Sequence, residues 1–189
     1  MVRRNFIQAA LALYPVSIIG NSLNYTKLEI DPAGFVVKAN EARFGERYKM
    51  KGITLNLLDI KISSKDTNGA LAVFEQTGFT PKGGPPLHIH PNQDEMFYVV
   101  EGDYLFQVGE EKYKLNAGDT IFLPRNIQHA FVQLTEKAKM IVSYMPAGKM
   151  EAFFKYTDAW TSPPNKEEVM NAFKIHDMII VGPPLSVSI

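Results

Sequence analysis

The residues able to do chemistry in this chain are histidines and one glutamate. His88 and His90 stand two apart in LHIH, Glu95 opens the run EMFYVV, and His129 opens the run HAFVQ. Side chains alternate faces along a strand, so His88 and His90 point the same way and their imidazoles can converge on one centre. That is the geometry of a pair of metal ligands. Of four histidines in the chain, three lie in these segments. The bland reading is burial with ordinary hydrogen bonds, yet imidazoles and a carboxylate buried together without a cation leave the carboxylate with a large desolvation cost. The remaining histidine, His176, reads as an ordinary packed or surface residue.

The segments that must position these groups read as strands. Apolar, β-branched or aromatic runs fall at residues 53–62, 70–79, 94–100, 104–108, 112–115, 120–123, 129–134 and 139–145. Polar or glycine-bearing turns separate them. Residues 24–39 read as two further short strands around Asp31-Pro32-Ala33-Gly34, and residues 40–52 as a loop. Thr80 to Pro86, TPKGGPP, cannot be a central strand and delivers the chain to His88. With Glu95 facing inward, Phe97 and Val99 do too; with His129 inward, so do Phe131 and Gln133. The opposite faces, Met96, Tyr98 and Val100 on one strand and Ala130, Val132 and Leu134 on the other, are also largely apolar, so a second subunit or other elements must cover them. Past Met145 the period changes: Met150, Phe153, Thr157 and Trp160 share one side of a helix starting near Gly148. Val169, Phe173 and His176 do the same in a helix entered by Ser162-Pro163-Pro164. These helices pack on the outside of the barrel, or the first one roofs its mouth, and the closing MIIVGPPL is an apolar extension of the type an exchanged edge strand uses.

The two histidine segments resemble the motifs of the cupin superfamily. The first motif sets a glycine, His-x-His, a glutamate and a second glycine in order; here these are Gly83 or Gly84, His88, His90, Glu95 and Gly102, with four residues from His90 to Glu95 and six from Glu95 to Gly102. The second motif is represented by Gly118, Pro124 and His129, with Asn126 where glycine is usual and Gln133 where asparagine is usual. Those departures touch a turn and a peripheral polar residue and remove no ligand. The resemblance covers roughly residues 69 to 146.

What the resemblance implies is an all-β fold, the cupin jelly-roll barrel or double-stranded β-helix, spanning residues 24–147 with a helical extension at 148–189. It implies a metal site of His88, His90, Glu95 and His129 for one divalent transition ion, Fe, Mn, Ni, Co, Cu or Zn. Four protein ligands leave two positions of a six-coordinate ion open for dioxygen or a substrate oxygen. The likeness is greatest to the quercetin 2,3-dioxygenase branch, in which the equivalent of Glu95 also takes a proton from the substrate, so Glu95 is the candidate catalytic base. The expected activity is a dioxygenase-like oxidation of a small enolic or phenolic compound; a zinc-dependent sugar isomerase or epimerase and a non-catalytic small-ligand sensor stand as alternatives. Phe74, Phe97, Phe106, Phe122 and Phe131 form plain core or line a flat aromatic substrate pocket, and Gln133 is placed to orient a ligand. Asn92-Gln93-Asp94 read as a solvated rim, and Lys82 and Arg125 as loop charges or gates for an anionic substrate. Cupins are frequently homodimers, and a homodimer is expected.

Composition narrows the classes. With 189 residues, 46% hydrophobic, 21% charged and a formal net charge of zero, the chain lacks the basic surplus a nucleic-acid binder needs. Having no cysteine, it has neither thiolate ligands nor a cysteine nucleophile. No phosphate-binding glycine loop, dinucleotide fingerprint or Ser-His-Asp arrangement is present. Arg3-Arg4-Asn5-Phe6 and the uncharged run to Gly20 have the layout of a twin-arginine export signal over residues 1–22, which places the protein in the periplasm; an amphipathic helix packed on the barrel is the alternative. The run is too short to span a bilayer.

Overall fold

Period-two burial organises the molecule. In a computed structural model that describes residues 34–54 and 56–187, the strand Ala72–Gly78 buries Ala72, Phe74, Gln76 and Gly78 and turns the intervening residues outward. The export segment and residues 24–33 lie outside the described residues. The strands are β1 (Arg47–Lys49), β2 (Leu57–Ile62), β3 (Ala72–Gly78), β4 (Pro86–Ile89), β5 (Asp94–Glu101), β6 (Tyr104–Val108), β7 (Glu111–Leu115), β8 (Thr120–Leu123), β9 (His129–Gln133), β10 (Ala138–Met145) and β11 (Ile179–Pro184). They form two antiparallel sheets, β1-β2-β3-β10-β5-β8 and β11-β4-β9-β6-β7, with helices α1 (Met150–Asp158) and α2 (Lys166–Ile175) after β10. This is a mostly-β cupin fold with two C-terminal helices.

Aromatic rings join the sheets. Phe97 of β5 meets Phe106 of β6 at 5.2 Å and Phe131 of β9 at 5.8 Å between centroids, so the interior is a dry aromatic layer below the histidines. α1 buries Met150, Phe153, Phe154 and Thr157, and Phe154 lies edge-on to Phe74 of β3 at 4.9 Å. α2 buries Ala172 and Phe173, and Phe153 and Phe173 meet at 5.1 Å, locking the helices together. Asn165 starts α2 with a capping box: its side chain accepts from the Glu168 N–H while the Glu168 carboxylate accepts from the Asn165 N–H. The helical stripes expected from the sequence therefore close one end of the barrel.

Three expectations change. Residues 34–39 are irregular, with Phe35 and Val36 exposed, because no strand pairs with them. The strand expected from residue 53 starts only at Leu57, since residues 51–54 form a turn, and the loop expected over residues 40–52 contains β1 paired to β2. The terminal apolar segment is β11, which pairs with β4 of the same chain through Ile179↔Ile89 and Ile180↔His88. The apolar outer faces also part company: Ala130 and Val132 are buried within the chain, whereas Tyr98, Val100 and Phe122 are exposed.

Phe74 is fully buried and Phe122 is 55% exposed, although both are phenylalanines in barrel strands. Phe74→Ala should therefore cost about 3–5 kcal/mol in chemical denaturation, while Phe122→Ala should stay within about 0.5 kcal/mol of the parent. Comparable losses for the two would contradict this packing.

Candidate metal centre

The chain reaches the centre along β4. Gly84 passes so close to β9 that a Cβ there would stand 1.8 Å from the Phe131 carbonyl oxygen, which is why glycine precedes the histidines. His88 then faces His129 across the β4–β9 ladder, and His90 follows at the end of β4. Glu95 comes from β5 in the other sheet. The turn before β9 is tied back to the site, because the Asn126 N–H donates to the His90 carbonyl at 3.0 Å. Asn126 has φ +64°, a left-handed conformation that asparagine tolerates, so it replaces the usual glycine without strain.

One ligand-type atom from each of His88, His90, Glu95 and His129 falls within 4.8 Å of all the others, and the four residues are 7%, 1%, 2% and 3% exposed. His90 Nε2 and His129 Nε2 each stand 3.0 Å from Glu95 Oε1, and His88 Nε2 stands 3.1 Å from His90 Nε2. The proton positions follow from the surrounding acceptors. His88 Nδ1 donates to the Pro86 carbonyl and His129 Nδ1 to the Ile127 carbonyl. Gln93 donates its Nε2 to the carbonyls of Pro146 and Ala147, which turns its Oε1 toward His90 Nδ1 at 3.0 Å and makes that nitrogen a donor as well. Each neutral ring thus carries its proton on Nδ1 and presents a bare Nε2 lone pair to the centre.

With all three rings neutral, four acceptors converge in a buried space with no proton between them, and among the described residues Glu95 Oε1 and His129 Nε2 have no hydrogen-bond partner. That arrangement is repulsive until a cation enters it. The donor set fits a divalent transition ion: edges of 3.0–3.1 Å match ligands about 2.1 Å from an ion and at right angles to one another. Charge responds in the same sense. Burial opposes ionisation of Glu95, but the positive charge of His90 and His129 in their protonated forms outweighs it and holds the carboxyl down at about 2. Burial likewise opposes protonation of His129, yet the Glu95 carboxylate raises its pKa, while burial dominates at His90 and takes His88 well below the ordinary imidazole value.

The cavity beside these groups is small, about 30 Å³ of free space, room for about one or two waters. Phe97 and Phe131 line it. Phe74 stands behind Tyr144 and Phe154, and Phe106 lies beneath Phe97 and Phe131, so neither faces it. Phe122 is on the outer surface. Gln133 turns away: its Nε2 donates to the Thr135 and Glu136 carbonyls, and its Oε1 fills the space a side chain at Gly78 would need. Arg125 pairs with Asp94 at 2.6 Å at the rim and holds that carboxyl at about 2. His176 donates to the Ala172 carbonyl and takes no part.

Sequence reasoning missed several groups. Gln93 is buried and orients His90, where a solvated rim was expected. Tyr144 lies directly opposite Glu95 on β10 and lines the cavity; its alternation with Met140 and Val142 was the available signal. Phe154 joins Phe153 and Phe173, which lay on the expected helical stripes, in forming the roof. Wider grooves run along α2 and β11, but among the described residues the His88, His90, Glu95 and His129 group is the one that gathers metal-binding side chains.

Residues 77–144 match the family model of the cupin domain, and the chain carries such a domain. It is distantly homologous to quercetin 2,3-dioxygenase and to oxalate oxidases: 31% identical to quercetin 2,3-dioxygenase of Bacillus subtilis over 97 residues, 51% of this chain and 28% of that protein. It is 26% identical to oxalate oxidase GF-2.8 of Triticum aestivum over 139 residues, 69% of this chain and 62% of that one. The chain thus spans less than two thirds of the length of each of these two relatives. Among solved structures, KdgF from Halomonas sp. superposes with a TM-score of 0.51 at 19% identity, over 60% of this chain and 94% of that one. An RmlC-like cupin from Shewanella frigidimarina gives 0.50 at 21%, over 61% and 93%. These two likenesses concern the fold.

His88→Ala should abolish stoichiometric metal in the purified protein, measured by elemental analysis, and equal substoichiometric metal in variant and parent would dismiss the site. Gln93→Leu, which frees His90 to rotate, should weaken metal affinity about 10–100-fold in a chelator competition.

Proposed function

We propose that this protein is a metal-dependent oxidoreductase of the dioxygenase type that uses dioxygen to oxidise a small enolic or phenolic compound. The observation that carries the reading is the convergence of three bare Nε2 lone pairs and the Glu95 carboxylate in a dry, aromatic-roofed cavity. His88, His90, Glu95 and His129 would hold one divalent transition ion, which supplies Lewis acidity and, when redox-active, electron exchange with dioxygen. The names of the distant relatives, quercetin 2,3-dioxygenase and oxalate oxidase, support an oxidative reaction.

The chain's own residues divide the work. Glu95 is held ionised, so it can take the proton of a substrate hydroxyl whose acidity the ion has raised. Phe97, Phe131, Phe153 and Phe173 exclude bulk water, which strengthens electrostatic interactions inside. The free space must widen to take any organic compound, and an enol or a single-ring phenol demands less widening than a three-ring flavonol. Met50, Met150 and Met178 in the lining are unbranched and adaptable, so the cavity can widen by side-chain rotation.

Purified protein loaded with iron, manganese, cobalt, nickel or copper should consume dioxygen with at least one member of a panel of small enols and catechols. Glu95→Gln should lower that rate by about 10²–10⁴-fold. A protein that takes only zinc and leaves dioxygen untouched across the panel would instead support isomerase or sensor chemistry at the same centre.

A further inference from the structure

β3 directs Ala72, Phe74, Gln76 and Gly78 into the barrel, and Gln76 is the one among them with a hydrogen-bonding side chain. It is 2% exposed and lies in the ladder between Leu58 of β2 and Met140 of β10. It lines the same cavity as His88, His90, Glu95 and His129. Among the described residues its Nε2 has no hydrogen-bond partner. A buried amide N–H without an acceptor keeps its whole desolvation penalty. Methionine has nearly the same length and shape without that penalty, and Met50, Met150 and Met178 already line this cavity. An amide at position 76 is therefore costly to the fold unless an acceptor arrives from outside the chain.

We propose that Gln76 determines the specificity of the centre by donating a hydrogen bond from Nε2 to an acceptor oxygen of the bound compound. The inference rests on the metal-centre reading above and narrows its substrate class. A compound that gave two oxygens to an ion held by these residues would need at least one further carbonyl or carboxylate oxygen to meet the amide. Enols that carry a carboxylate satisfy both demands, since one carboxylate oxygen stays free; a plain catechol, like an enol with a single carbonyl, has no uncoordinated oxygen left for Gln76. The apolar rings of Phe97, Phe131 and Phe173 give no donor, and the Tyr144 hydroxyl is a second donor group in the lining.

The test uses cobalt-loaded full-length protein, followed by its visible spectrum, with metal content measured in parallel. Pyruvate and malonate chelate through two oxygens and keep others free, whereas acetohydroxamate uses both of its oxygens on the ion. Gln76→Met should keep full metal, weaken pyruvate and malonate about tenfold, and leave acetohydroxamate within about twofold. Gln76→Glu, which replaces the donor by an acceptor, should weaken the two carboxylates at least as much and serves if the methionine variant does not fold. Unchanged affinity for pyruvate and malonate overturns the proposal and identifies a donor satisfied by water alone. Equal loss for all three probes overturns it too, since that reports cavity shape, and so does metallated parent protein that binds neither carboxylate. A parent protein without metal overturns the centre itself and not this assignment.

Discussion

Four lone pairs pointed at one another in a space that water barely enters is the constraint around which this barrel is built. Each imidazole has its Nδ1 proton committed to an acceptor, the Pro86 carbonyl, the Gln93 amide oxygen or the Ile127 carbonyl, so no neutral ring can turn its proton toward Glu95 without breaking a buried hydrogen bond. The site therefore stores repulsion that a cation relieves. Affinity comes from the ligands and from the anchors that forbid the rings to relax.

Those anchors tie distant parts of the chain together. Gln93 reaches the carbonyls of Pro146 and Ala147 just before α1, so the loop after His90 and the approach to the roof helix are fastened at one point. Phe173 of α2 packs edge-on to His88 at 5.4 Å, and Phe154 of α1 packs on Phe74 behind Tyr144. The helices thus serve the centre as its dry lid.

The ligands themselves were legible as a pattern because strand alternation and the spacing of His88, His90, Glu95 and His129 constrain direction over short distances. Most strand bounds were legible for the same reason; β6 and β8 fall where their apolar runs do. The pocket was not. Phe74, Phe97, Phe106, Phe122 and Phe131 look alike along the chain, and only two of the five line the cavity. Strand facing distinguishes inside from outside, but depth along the barrel axis depends on register between strands that are far apart in sequence. Gln133 illustrates this: it faces inward as expected, yet its amide is spent on Thr135 and Glu136.

Local rules were therefore enough for the all-β architecture, the ligand set and the helical stripes, because each follows from the alternation or periodicity of neighbouring residues. Gln93 as the anchor of His90, Tyr144 beside Glu95, the lid over the ion and the unpaired amide of Gln76 emerged from the folded chain. A hydrogen-bond partner or a cavity wall is a relation between segments brought together by packing, and nothing in the identity of one residue encodes which distant residue it will meet.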